Sequence, residues 1–96
     1  MTKADIVADI ATETGLEKTE VLRAVEAFMG TIKTSLTRGN NVYLRGFGSF
    51  IVKERAQKTG RNISKKTTII IPAHNIPSFK PSKTFVESVK KDVKVR

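Results

Sequence analysis

The chain has 96 residues, a formal net charge of +9 and no cysteine, which suits one small domain whose core is barely sufficient by itself. The missing thiols exclude disulfides and thiolate metal sites. No run approaches the roughly 18 apolar residues of a membrane span, and the start lacks a secretory apolar segment, so a soluble, cytoplasmic protein is expected.

The first element reads as a helix from Lys3 to Thr14, with Thr2 and Asp5 in capping-box spacing and Asp standing in for the usual Glu. Ile6, Val7, Ile10 and Ala11 mark one face, and Gly15 is the natural stop. A second helix runs from Lys18 to Thr37, ended by Gly39. Its stripe of Val21, Leu22, Val25, Phe28, Met29, Ile32 and Leu36 is wider than a helical hairpin can cover. Gly30 within it costs about 1 kcal/mol relative to Ala, which points to close packing by another backbone.

The period then changes. Val42 and Leu44 alternate, Gly46-Phe47-Gly48 reads as a tight turn, and Phe50 and Val52 continue the strand pattern over Ser49–Lys53. The apolar alternation stops at Glu54, and a basic stretch leads through Arg61 and Asn62 to Ile63. Strand-like sequence resumes at Thr67–Ile71, and Pro72 argues against a central strand there. Ile76 and Phe79 look core-facing, Ser82 caps a last helix carrying Phe85, Val86 and Val89, and Lys90 to Arg96 should fray.

Charge is distributed as unevenly as structure. Residues 1–45 are neutral, with Lys3, Lys18, Arg23, Lys33, Arg38 and Arg45 balanced by Asp5, Asp9, Glu13, Glu17, Glu20 and Glu26. All of the excess falls in residues 46–96, where only Glu54, Glu87 and Asp92 are acidic. A neutral half that folds and a basic half that binds imply a polyanionic partner.

The basic stretch reads as a β-hairpin arm of two legs, about 8 residues and roughly 26 Å each. An isolated ribbon is marginal in water, so this arm gains its order from whatever it lies on. Lys53, Arg55, Lys58, Arg61, Lys65 and Lys66 recur every few residues, a spacing suited to tracking two phosphate strands and entering the narrow groove between them. Gly60 and Asn62 are small enough to reach the floor of that groove. Ile63, at the tip, suits a wedge that unstacks a base step. On the body, Lys3 at a helix start, the backbone around Gly46, Gly48 and Ser49, and Lys80 with Lys83 suit neighbouring phosphates. Catalysis is not expected. His74 is the only histidine, and the carboxylates do not converge as a hydrolytic or metal site requires.

The opening Thr2-Lys3-Ala4-Asp5, Gly46-Phe47-Gly48-Ser49-Phe50, Arg55, Thr59-Gly60-Arg61-Asn62, Ile71-Pro72-Ala73 and Pro77-Ser78-Phe79-Lys80-Pro81 resemble the histone-like HU/IHF family of bacterial DNA-bending proteins over nearly the whole chain. The resemblance implies an intertwined dimer with a helical base and two β-arms reaching around DNA. It also implies arm arginines in the minor groove, an intercalating residue after Gly-Arg-Asn, and a shared core that includes Phe47, Phe50 and Phe79. Phe28, Met29, Ile32, Leu36 and Leu44 complete the expected dimer core. The chain departs from the family at Ile63, where proline is usual, at Lys65-Lys66, where Thr-Gly is usual, and in a tail that runs slightly past the typical length.

The expected fold is therefore α+β: two helices, a three-stranded antiparallel sheet with a long arm at about 54–71, and a short C-terminal helix, one domain over residues 1–96. The expected partners are double-stranded DNA (bent, nicked or junction forms among them, with RNA as a further polyanion) and a second copy or a paralogue of the chain. No cofactor, metal, membrane or small-molecule substrate is expected. Two other readings fit the chain less well. For a helix-turn-helix repressor, the first two helices are charge-balanced and their exposed face lacks the Arg, Asn and Gln expected of base readers; for a ribonucleoprotein component, few exposed aromatics are available to stack on unpaired bases.

Overall fold

The computed structural model describes residues 1–62 and 67–95. The chain divides into two compact units, Met1–Ser35 and Leu36–Arg96.

The first unit is helical. Helix α1 spans Lys3–Thr14 and helix α2 spans Lys18–Thr37, with the bounds the periodicity predicts. Thr2 and Asp5 form the expected capping box: the Asp5 carboxylate accepts from the Thr2 N–H at 2.9 Å, and the Thr2 hydroxyl accepts from the Asp5 N–H at 3.4 Å. The backbone N–H and then the hydroxyl of Thr2 hold the Asp5 carboxyl below its ordinary value. The cap is thus intact at neutral pH and weakens as falling pH protonates the carboxylate. Gly15 ends α1 with φ +77°, its N–H donating to the Ala11 carbonyl at 2.9 Å. Val7, Val21 and Ile32 are buried, whereas Phe28 stays 51% exposed and Met29 39% exposed. Among the described residues, nothing beyond its own helix backbone comes within 4 Å of where a Gly30 side chain would begin, so the close packing expected there is not met within this chain.

The second unit is a sheet with a ribbon and one helix. Strands β1 (Val42–Leu44), β2 (Gly48–Arg55) and β5 (His74–Pro81) form an antiparallel sheet in the order β1-β2-β5. Strands β3 (Lys58–Asn62) and β4 (Thr67–Ile71) form a two-stranded ribbon. Helix α3 spans Lys83–Asp92 behind the Ser82 cap, whose hydroxyl accepts from the Phe85 N–H at 3.2 Å.

Four local expectations change. Strand β2 continues through Glu54 and Arg55 because β5 pairs with it that far, up to Arg55↔His74. Strand β5 carries two prolines and has no clear alternation; its position at the sheet edge is what tolerates Pro77. Ile76 and Phe79 do not share a face: Phe79 stands opposite Phe50, and Ile76 opposite Lys53. Helix α3 holds Lys90 to Asp92 in its last turn, where the sequence led fraying to be expected.

The tight turn is centred earlier than expected. The Phe47 N–H donates to the Leu44 carbonyl at 3.0 Å, and Gly46 has φ +81°. That value is required at the third position of a type II turn and disfavours any side chain. Gly48 serves a different purpose. A methyl group there would lie 2.6 Å from the Lys80 carbonyl oxygen and 2.7 Å from the Phe79 ring. Because one of these neighbours is backbone, Gly48→Ala should cost about 1–3 kcal/mol by overpacking, read as a lower urea midpoint at unchanged slope.

Candidate nucleic-acid interface

Strand alternation and register sort the sheet into two chemically distinct faces. Residues directly opposite each other in an antiparallel ladder share a face, and each strand alternates between faces. The pairs Val42↔Phe50, Leu44↔Gly48, Phe50↔Phe79 and Val52↔Pro77 make one face apolar. Phe79 packs 4.9 Å from Phe50, 5.2 Å from Phe47 and 6.4 Å from Phe85, ring centre to ring centre. Phe47 in turn stacks on Phe85 at 5.5 Å. This cluster fastens α3 to the sheet.

The other face collects cations. Tyr43↔Ser49, Ser49↔Lys80, Lys53↔Ile76 and Arg55↔His74 place Lys53, Arg55 and Lys80 together with the only histidine. All three cations are exposed. The neighbouring carboxylate, Glu54, pairs with Asn75 and so belongs to the apolar face. The field on the cationic side is therefore of one sign, as a phosphate backbone demands.

At the end of the sheet near α3 lies an open groove of about 660 Å³. Its walls bring together Gly46, Gly48, Ser49, Lys80 and Lys83, five of the six body residues expected from the sequence, and add Tyr43, Arg45 and Ser82. The hydrogen bond from the Ser82 N–H to the Phe47 carbonyl, 2.8 Å, ties the start of α3 to the β1–β2 turn and so shapes the groove. Some of the backbone donors expected here are already engaged, since the Phe47 N–H is held by Leu44. Gly48 is buried and shapes the wall from behind. Arg45 was missed because its signal is its turn position beside a positive-φ glycine, not membership of a basic run.

The arm continues the register of the sheet. The ladder that ends at Arg55↔His74 resumes at Lys58↔Ile71 and runs to Asn62↔Thr67. Two residues are skipped on each strand, Ala56-Gln57 and Pro72-Ala73, so the register carries through the break. Pro72 has no N–H to give to a ladder, which accounts for its place in the gap. Lys58 is exposed, and Ile69, Ile70 and Ile71 are 45%, 63% and 44% exposed. Arg61 and Asn62 lie in β3 by their backbone. Ile63, Lys65 and Lys66 lie outside the described residues.

Lys3, in the helical unit, already has a partner. Its Nζ donates to Glu26 Oε1 at 2.9 Å, a half-exposed ion pair between α1 and α2. That pair accounts for a cation at a helix start, where the helix dipole alone would disfavour it. Of the expected core residues, Ile32 is buried and Leu36, Leu44 and Phe50 are half-buried, while Phe47 (45%) and Phe79 (38%) remain exposed on the single chain. Among the described residues, no helix is long and apolar enough to cross a membrane, and no cluster of acidic or histidine side chains is placed to hold a metal ion.

This geometry has close counterparts. The sequence pattern of a family described as bacterial DNA-binding protein matches residues 1–90. The DNA-binding protein HU of Thermus thermophilus is 42% identical over 91 residues, covering 95% of this chain and 94% of that protein. HU of Geobacillus stearothermophilus is 39% identical over 90 residues, covering 94% of this chain and all of that protein. A solved structure of Anabaena HU crystallised with DNA superposes with a TM-score of 0.89 at 34% identity, over 93% of this chain and 97% of that one. A sheet with aromatic rings on one face and cations on the other, a ribbon extending from it and a match over nearly the full length have one reading: the chain belongs to the bacterial DNA-binding protein family of HU and its relatives.

Proposed function

We propose that the chain binds duplex DNA with little sequence preference and bends it, as a dimer whose β-arms lie along the minor groove, and so compacts the bacterial nucleoid in the cytoplasm. It acts without a catalytic step, cofactor or metal. The observation that carries this reading is the sorting of the sheet: Lys53, Arg55 and Lys80 share a face free of carboxylates, and that face leads into an unsupported ribbon. Phosphate contacts of this kind supply affinity and position without reading bases. Gly46, Ser49, Arg45 and Lys83 at the groove, with Lys3, add phosphate contacts on the body. Lys58, Arg61, Asn62, Lys65 and Lys66 follow the groove along the arm, and Ile63 wedges between base pairs at its end. Gly48 contributes by shaping the backbone that the phosphates meet.

The exposed Phe28, Met29, Phe47 and Phe79 support the dimer, because apolar side chains of this size gain roughly 1.5–3 kcal/mol each from full burial. A paralogue with the same face could replace the second copy. Residues 1–96 then act as one domain.

Replacing residues 56–73 with a short turn tests the reading, with affinity for random-sequence duplex and the end-to-end distance of dye-labelled DNA as readouts. The shortened chain should fold and dimerise yet bind at least about 100-fold more weakly, having lost several phosphate contacts per arm. Ile63→Ala in the full chain should keep most of the affinity and lose much of the bend. Undiminished binding by the shortened chain would overturn the proposal, and an unchanged bend with alanine would remove the wedge.

A further inference from the structure

His74 sits at the root of the arm, the last β5 residue paired with β2 before the two-residue break. Its Nδ1 lies 2.9 Å from the carbonyl oxygen of Pro72, inside that break. A carbonyl oxygen only accepts, so Nδ1 carries the proton and donates it. The exposed ring therefore has Nε2 as the atom that gains or loses a proton. Directly across the ladder is Arg55, and next on the same face is Lys53, opposite Ile76. Glu54 pairs with Asn75 on the reverse face, and Lys58, opposite Ile71, falls by the same alternation on that reverse face. The charged groups that share the His74 face are thus cations.

We propose that His74 is a proton-gated phosphate ligand at the arm root, so that DNA binding by this chain takes up a proton. The inference rests on the DNA-binding reading above. With Nε2 bare, the ring meets a phosphate oxygen acceptor to acceptor and contributes nothing. Once protonated, Nε2–H donates a charge-assisted hydrogen bond to that oxygen while Nδ1–H keeps its hold on Pro72. Phosphate favours the charged ring, so the added affinity is present at low pH and is lost as pH rises. The Nδ1 bond makes the gate specific to this position, because it fixes the ring and reserves Nε2 for the ligand.

The test compares the full chain with His74→Gln and His74→Lys on one random-sequence duplex at fixed salt, at about pH 5.5 and about pH 8. The parent should bind about tenfold tighter at the lower pH, the equivalent of one unit of linked titration. As His74 is the only histidine, the Gln variant should lose most of that ratio. The Lys variant should bind at both as tightly as the parent does in acid, a result that a purely structural role at the break would not produce. An equal pH ratio in the parent and the Gln variant would overturn the inference, as would a Lys variant weaker than Gln. Absence of salt-sensitive duplex binding by the parent at either pH would instead sink the proposed function itself.

Discussion

Raising monovalent salt from about 50 to 200 mM should lower the affinity for random-sequence duplex by about 10³–10⁵, as expected when 6–10 phosphates are neutralised and their counterions released. The number follows from the surface. Each chain offers Lys53, Arg55 and Lys80 on the sheet, Arg45 and Lys83 at the groove and Lys58 in the ribbon, and a dimer doubles them. Not every cation needs to engage to reach that range. Base readout would be less salt-sensitive, since its hydrogen bonds release few ions. Fluorescence anisotropy at five or six salt concentrations gives the slope of log affinity against log salt. A slope shallower than about −3 would mean that most of these cations never meet phosphate, and the one-sign face would need another explanation.

Phe79→Ala should lower unfolding free energy by about 3–5 kcal/mol, the usual cost of removing a core phenylalanine. Small domains hold only about 5–15 kcal/mol in total, so the variant should be close to unfolding at body temperature. Phe79 has this weight because it joins three structures. It sits opposite Phe50 in the β2–β5 ladder, touches Phe47 of the β1–β2 turn, and lies 6.4 Å from Phe85 of α3. It is also 38% exposed on the single chain, so in a dimer its loss weakens the interface as well. Urea unfolding at several protein concentrations separates the two contributions: the midpoint should rise with concentration in the parent, and the variant should need more protein to reach the same midpoint. A loss below about 1 kcal/mol would show that the ring cluster is peripheral and that the core lies elsewhere. The same substitution at Tyr43, 72% exposed on the opposite face, should stay within about 0.5 kcal/mol.

The proposed partners differ in how directly each follows from the chain. DNA follows from charge sorted by register, which requires only the sequence and the ladder. The second copy follows from exposed aromatic surface, and the pH gate from one ring nitrogen and one carbonyl.

Local chemistry alone was enough for the helices. The bounds of α1 and α2, the Thr2–Asp5 box, the glycine stop and the Ser82 cap are set by hydrogen bonds between residues three or four apart, and such spacings can be read along a chain. The cationic excess after residue 46 and the glycine-rich turn were legible for the same reason. What the residues did not announce was settled between distant segments. Strand β5 has a weak pattern of its own and exists because β2 offers it a ladder. That ladder then decides that Phe79 faces Phe50 while Ile76 faces Lys53, that Gly48 must stay bare beneath the Lys80 backbone, and that His74 meets Arg55 at the arm root. Pairing across roughly 20 or more residues costs chain entropy that only the assembled sheet repays, so its register is a property of the folded whole and not of any stretch within it.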